Sequence, residues 1–142
     1  MNGTGSASPS GGTERILVVD DESDIGRITR TALERLGYHV TVMNRSVDAL
    51  AAFCADPNAF DLIITDHAMP MLTGEQLAKD VLRRKPGMPI IITTGLGDTM
   101  TEERAMALGL RGYILKPYLM KDLAVMVRRA LNEAEADQTP TA

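Results

Sequence analysis

The feature that most constrains this 142-residue chain is a series of five short apolar runs. They are Ile16–Val19, Val40–Val42, Leu62–Ile64, Ile90–Ile92 and Tyr113–Leu115. Most of them are continuous rather than alternating in polarity, which is typical of strands buried on both faces of a parallel sheet. Because helical patterns separate the runs, the chain is predicted to be an α/β protein with helices on both faces of its sheet.

The segments between the runs carry apolar residues at helical spacing. We expect Ser46 to cap the second helix, and Thr99 to cap the fourth in a capping box with Glu102. The second helix is expected to carry Val47, Leu50, Ala51 and Cys54, with Cys54 as a small core residue. Five strands and five helices in alternation favour a flavodoxin-like (βα)5 doubly wound sheet with strand order 2-1-3-4-5.

The two ends of the chain differ in composition from its middle. Residues 1–13 are mostly Gly, Ser, Thr, Pro and Asn, which predicts a flexible leader or linker. Residues 134–142 are polar and are expected to form a flexible tail. Residues 14–133 are therefore predicted to form one domain, of a size that is common for a single core.

Charge and composition exclude several kinds of partner. The formal net charge is −4 and no stripe of Lys and Arg is present, so we expect no nucleic-acid partner. No apolar run approaches the ~20 residues that a membrane helix needs, and the N-terminus lacks a signal-peptide pattern. The single cysteine cannot form an internal disulfide, so a cytoplasmic location is expected.

Reactive side chains follow four of the predicted strands, at the edge where such sheets bind ligands. They are Asp20, Asp21, Asp66, Thr94 and Lys116. Clustered carboxylates need a cation, and oxygen ligands favour a hard ion such as Mg²⁺. Mg²⁺ with a lysine and a hydroxyl suits the charge of a transferring phosphoryl group, and a carboxylate can be its covalent acceptor. The pattern predicts phosphoryl transfer onto an aspartate.

Each of these residues alone could serve a cap, a turn or a strand, but the agreement among four strand ends favours a site. His67 could suggest a metal ligand or a phosphohistidine. Neighbouring residues at a strand end point to opposite sides of the sheet, so His67 is expected to face away from the group that Asp66 holds.

Four segments resemble the receiver domains of two-component signalling, the chemotaxis-regulator-like (CheY-like) family. They are Ile16–Glu22, Asp61–Gly74, Pro89–Gly95 and Gly112–Pro117, within a resemblance that covers about residues 14–133. The resemblance implies that Asp66 is phosphorylated. It also implies Mg²⁺ bound directly by Asp21 and Asp66, with Asp20 acting through water and the Ala68 carbonyl as a further ligand.

The same resemblance assigns the remaining roles. Lys116 would contact one phosphoryl oxygen and Thr94 another, and Tyr113 would be the aromatic switch that is buried once Thr94 has moved. Ala68 and Leu96 are apolar where many relatives carry polar side chains. Neither can hold an attacking water, so slow loss of the phosphoryl group is expected.

These observations predict a phospho-accepting module that receives its phosphoryl group from a histidine kinase or a histidine phosphotransfer protein. It is not expected to be an enzyme beyond its own phosphorylation and dephosphorylation. Few residues follow the fifth helix, so output through a protein partner is expected. The donor is predicted to dock on an apolar patch of Ile25, Ile28 and Pro117, although helical spacing allows Ile25 and Ile28 to be core residues equally well.

Three alternatives to a switch remain. The chain could be a phosphate relay or sink with no switched partner, or a pseudo-receiver that only binds partners. It could also be an aspartyl-phosphate hydrolase of the haloacid-dehalogenase type, which uses similar groups. That class places a second aspartate two residues after its nucleophile, where this chain has Ala68, and its acidic pair comes late rather than first.

Overall fold

In a computed structural model, which describes residues 11–138, strands and helices alternate throughout the described part of the chain. The strands are β1 (Arg15–Val19), β2 (His39–Met43), β3 (Leu62–Asp66), β4 (Ile90–Thr94) and β5 (Gly112–Leu115). The helices are α1 (Ser23–Glu34), α2 (Ser46–Ala55), α3 (Gly74–Arg84), α4 (Glu102–Ala107) and α5 (Met120–Gln138). All strand pairs are parallel, and the order β2-β1-β3-β4-β5 confirms the predicted topology.

The core has two layers, one on each face of the sheet. On one face Ile16 packs with Leu33 of α1 and Val127 of α5. On the other face Ile63 packs with Val81 of α3, and buried residues of α2 and α4 belong to the same cluster. Strands β3 and β4 are buried along their whole length, which explains their continuous apolar runs. Within residues 11–138, no helix is long and apolar enough to cross a membrane.

The predictions for Cys54 and Ser46 in α2 are wrong. The helix buries Ser46, Ala49 and Phe53, whereas Cys54 is exposed. Ser46 is the first helical residue rather than the cap, and its hydroxyl donates to the carbonyl oxygen of Pro70 at 3.3 Å. Apolar residues occur nearly all around this helix, so their spacing alone does not select one face.

The predicted cap of α4 is also wrong. Thr101, not Thr99, is the N-cap, and its Oγ1 accepts a hydrogen bond from the backbone N–H of Arg104 at 3.1 Å. Thr99 lies in the loop that joins β4 to α4, residues 95–101, which we call the β4–α4 loop.

Helix α5 extends into the segment that the sequence analysis assigned to the tail. It continues to Gln138 because Ala134 is buried and because Asp137 pairs with Arg111 at 2.7 Å. At the other end, the backbone N–H of Gly12 donates to the carbonyl of Leu36 at 3.1 Å. The rest of the predicted leader and tail, residues 1–10 and 139–142, lies outside the described residues.

Candidate functional site

The structure brings the predicted acidic residues together at the carboxyl ends of β1 and β3. Asp20 and Asp66 are buried, while Asp21 is exposed at the rim. One carboxylate oxygen from each of the three lies within 4.8 Å of the others. A donor set made only of oxygen atoms, open to solvent on one side, fits a hard divalent cation such as Mg²⁺.

Lys116 reaches this pocket from the end of β5. Its Nζ lies 3.3 Å from Oδ2 of Asp20 and 3.3 Å from Oδ2 of Asp66. Glu22 approaches the same nitrogen at 3.7 Å, a contact that the sequence analysis did not assign. This contact could have been predicted, because Glu22 continues the run of acidic residues that begins at Asp20. The lysine thus links the ends of three strands, and the next peptide bond, to Pro117, is cis.

Burial governs the charges in this pocket. It raises the pKa of Asp66 to about 6, and although Lys116 opposes this effect, the nearby charge of Asp20 adds to it. Burial likewise raises the pKa of Asp20. Burial lowers the pKa of Lys116, but the attraction of Asp20 and Asp66 prevails and the net pKa is raised. The pocket therefore holds more negative charge than its lysine compensates, which a bound cation would relieve.

Asp66 is held between backbone and lysine. Its Oδ1 accepts a hydrogen bond from the backbone N–H of His67 at 2.9 Å, while Oδ2 faces Lys116. Helix α3 begins directly against this turn, because the N–H of Gly74 donates to the carbonyl of His67 at 2.8 Å. A Cβ at Gly74 would lie 2.3 Å from the carbonyl oxygen of Asp66, so only glycine fits there.

The two predicted switch residues flank the β4–α4 loop. Thr94 is fully buried, and within the described residues its hydroxyl has no hydrogen-bond partner. Tyr113 is partly buried, and its hydroxyl donates to the carbonyl of Met100 at 3.3 Å. The loop also contains an internal hydrogen bond, in which the N–H of Gly95 donates to Oδ2 of Asp98 at 2.7 Å. No role was predicted for Asp98 from the sequence.

The predicted docking residues lie on the surface rather than in the core. Helix α1 buries Gly26, Thr29 and Leu33, so Ile28 is 54% exposed and Ile25 is only partly buried. They border a groove of about 460 Å³ beside the acidic pocket. We call this the apolar groove; its lining includes Ile25, Ile28, Leu96, Pro117, Tyr118 and Met120.

The remaining predicted residues, Ala68 and Leu96, are exposed just after the carboxyl ends of β3 and β4. Ala68 is exposed two residues after Asp66, and Leu96 is 88% exposed at the start of the β4–α4 loop. Neither side chain can make a hydrogen bond with a water molecule near Asp66. Ala68 and Leu96, the two apolar residues that replace polar ones of many relatives, therefore both face solvent.

Comparisons with solved structures agree with this fold. A response regulator receiver domain protein from Clostridium thermocellum is 34% identical and superposes with a TM-score of 0.83, over 88% of this chain and 99% of that one. A CheY-like response regulator receiver domain protein from Methanospirillum hungatei JF-1 is 29% identical with a TM-score of 0.80, over 89% and 99% of the two chains.

Similar curated proteins are longer. The probable transcriptional regulator ycf27 of Cyanophora paradoxa is 37% identical over 123 residues, which are 86% of this chain and 50% of that protein. The transcriptional regulatory protein PcoR of Escherichia coli is 30% identical over 87% of this chain and 54% of its own length. The chain thus spans about half the length of the curated relatives it matches.

A sequence model of the family described as the response regulator receiver domain matches residues 16–128. This match covers every side chain of the acidic pocket, both switch residues and the docking residues of the apolar groove. With the strand order and the structural neighbours, it shows that the chain belongs to the response regulator receiver domain family of two-component signalling.

Proposed function

We propose that this receiver domain accepts a phosphoryl group on Asp66 from the phosphohistidine of a histidine kinase or a histidine phosphotransfer protein, and thereby switches a protein–protein interaction. One observation carries the proposal: the buried Asp66 carboxylate contacts a lysine ammonium at 3.3 Å and shares a cation-sized pocket with Asp20 and Asp21. Such a pocket places positive charge where a transferring phosphoryl group needs it.

In the proposed reaction a carboxylate oxygen of Asp66 attacks phosphorus. The oxygen–phosphorus bond forms as the nitrogen–phosphorus bond of the donor breaks, and the donor histidine leaves as a neutral imidazole after taking up a proton. Asp21 and Asp66 would hold Mg²⁺ directly, Asp20 through water, and the carbonyl of Ala68 would complete the protein ligands. When bound, Mg²⁺ would neutralise charge on the phosphoryl oxygens.

Lys116 and Thr94 would stabilise the product. The ammonium of Lys116 already lies beside Asp66 and would contact one phosphoryl oxygen. The hydroxyl of Thr94 needs a hydrogen-bond acceptor, because it is buried and has none among the described residues. A phosphoryl oxygen on Asp66 would supply that acceptor and draw Thr94 and the following loop toward the pocket, with Tyr113 moving in response.

The chain would act only on itself. Attack of water on the aspartyl phosphate would release inorganic phosphate and regenerate Asp66, and no separate substrate would be turned over. A hydrolase of the haloacid-dehalogenase type would instead turn over a generic phosphomonoester. We expect no such turnover, because Ala68 offers no second acid to protonate a leaving group.

The apolar groove would receive the phosphate donor. It adjoins Lys116, which is part of both the groove lining and the acidic pocket. Ile28 and Leu96 expose large apolar side chains there, and burial of such surface by an amphipathic helix is favourable. A histidine on that helix would then lie near Asp66.

The proposal is tested by phosphorylation with acetyl phosphate and Mg²⁺, followed by intact-mass measurement. The unmodified protein should gain one phosphoryl group that is lost in base, and Asp66→Asn should gain none. Asp61→Asn is the matched control, because Asp61 lies just before the opposite end of the same strand. Labelling of Asp66→Asn at the rate of the Asp61→Asn control would contradict the proposal.

A further inference from the structure

His67 connects the acceptor turn to the β4–α4 loop. Its backbone N–H donates to Oδ1 of Asp66 and to the carbonyl of Thr93, both at 2.9 Å. His67 as a whole is 7% exposed, and Nε2 of its imidazole lies 3.5 Å from Oγ1 of Thr99. The sequence predicts that this ring faces away from the group held by Asp66, and the side-chain contact that the structure gives it is with Thr99. One residue therefore contacts the Asp66 carboxylate through its backbone and the β4–α4 loop through its side chain.

The imidazole is incompletely satisfied in this position. Among the described residues, Nδ1 of His67 is buried without a hydrogen-bond partner. A neutral imidazole has one donor and one acceptor nitrogen, so either tautomer leaves one of them unpaired here. The pairing of Asp66 with Thr93 places the next residues, His67 and Thr94, side by side, and the hydroxyl of Thr94 is also buried and unpaired.

The β4–α4 loop has two side-chain anchors on consecutive residues. Tyr113 donates to the carbonyl of Met100, and His67 contacts the hydroxyl of Thr99. The distance to Thr99 lies at the long end of the hydrogen-bond range, so this contact is weak. Gly97, with a φ of +88°, provides a bend between these anchors and Thr94. Because the contact between His67 and Thr99 is weak and lies close to Gly97, little free energy is needed to break it when the loop moves.

We propose that His67 is a positioning residue of the switch. Through Thr99 it holds the β4–α4 loop in the observed position in the phosphate-free protein, and it releases the loop when Thr94 moves toward phosphorylated Asp66. This inference rests on the proposed function, since it needs phosphorylation of Asp66 as the trigger. Because this contact is long, its loss should change the ratio of the two loop positions about twofold.

The experiment compares backbone amide NMR spectra of the full chain at one fixed pH, with and without Mg²⁺ and beryllofluoride, a phosphoryl mimic. The two spectra of the unmodified protein define the end points for the β4–α4 loop and for Tyr113. In the ligand-free state, His67→Phe and Thr99→Val should each move these signals along the line toward the beryllofluoride end point. The double variant should move them no further than either single variant, because both remove the same contact.

Thr99→Ser is the matched control, because it keeps the hydroxyl, and its signals should stay at the ligand-free end point. Thr99 is exposed, so substitutions there should leave the core intact. The Thr99 variants therefore test the role of the contact even if His67→Phe does not fold. If the unmodified protein responds to beryllofluoride but Thr99→Val and Thr99→Ser both stay at the ligand-free position, the inference is wrong and the proposed function stands. If the unmodified loop does not respond to beryllofluoride, the switching function fails and the inference fails with it.

Discussion

The two edges of the parallel sheet both carry acidic and basic residues, but the pKa values of their carboxylates are shifted in opposite directions. At the amino-terminal edge the charges are paired: Arg128 holds Glu14 at 2.6 Å and Arg15 holds Asp61 at 3.3 Å. The hydrogen bond from Arg128 lowers the pKa of Glu14. Burial would raise the pKa of Asp61, but its hydrogen bonds with Arg15 prevail and lower it.

At the carboxyl-terminal edge the pKa shifts have the opposite sign. The pKa values of Asp20 and Asp66 are raised, and the hydroxyl of Thr94 is buried without a partner among residues 11–138. Carboxylates that are paired with arginines within the fold contribute to its stability. Buried carboxylates with raised pKa values are instead typical of sites that bind a ligand. The comparison indicates that the charges of one edge stabilise the domain, whereas those of the other are available for the proposed phosphorylation.

The largest expected effect is on the metal. Asp21→Ala should weaken Mg²⁺ binding about tenfold or more, and should slow phosphorylation by acetyl phosphate, because it would remove a proposed carboxylate ligand. Backbone NMR titration with Mg²⁺ measures the affinity. Asp24→Ala is the control, since Asp24 is an exposed acid nearby that pairs with Arg27. Equal affinities in the two variants would show that the acidic pocket is not the metal site.

A smaller effect is expected on the lifetime of the aspartyl phosphate. Ala68→Asn or Leu96→Glu should speed its hydrolysis about threefold or more, because either side chain can hold a water molecule in line with the bond. The decay is followed by intact mass after acetyl phosphate is removed. Val125→Glu adds the same charge at an exposed site on α5 and should leave the rate unchanged. If neither pocket variant decays faster than this control, water positioning does not limit the reaction.

The stability of the two edges should respond in opposite directions. Arg128→Met should lower the free energy of unfolding by about 1–2 kcal/mol, because it removes the hydrogen bonds to Glu14, Tyr38 and the carbonyl of Gly11. Asp66→Asn should raise it by about 1 kcal/mol in metal-free buffer, because it removes one of two buried carboxylates that share the ammonium of Lys116. Urea unfolding with a chelator present measures both. A loss of stability in Asp66→Asn would break the comparison.

The smallest effect is on the pH dependence of the amino-terminal edge. The pKa of Glu14 is lowered in the fold from its ordinary value of 4.5, so its stabilisation is complete above that value and is lost as the pH falls through the lowered pKa. Between about pH 5 and 3, Glu14→Gln should therefore lose less stability than the unmodified protein, by under about 1 kcal/mol. Parallel pH profiles of the two proteins would contradict a lowered pKa at Glu14.

Most of the fold and of the pocket could be predicted from the sequence, because both follow from regular patterns. Continuous apolar runs identified the strands, and the alternation of strands and helices gave the sheet order. The reactive residues follow strand ends, and parallel strands bring their ends to one edge. Asp20, Asp66 and Lys116 meet there although they are far apart in sequence.

The parts that could not be predicted depend on which of several equivalent residues the packing selects. Two threonines precede α4, and Thr101 rather than Thr99 caps it because the loop geometry places Thr99 beside His67. The spacing of Ile25 and Ile28 allowed core or surface, and the choice of Gly26, Thr29 and Leu33 as the buried face decided it. Such choices depend on contacts between elements that no local pattern records.

The identity of the acceptor is tested most directly by chemical trapping. An acyl phosphate reacts with hydroxylamine to leave a hydroxamate on the acceptor carboxyl group, with release of inorganic phosphate. After treatment with acetyl phosphate, Mg²⁺ and hydroxylamine, peptide mass spectrometry should find the hydroxamate on Asp66. A hydroxamate on Asp20 or Asp21 instead, or none on any carboxylate of the pocket, would contradict the assignment of Asp66 as the phosphoryl acceptor.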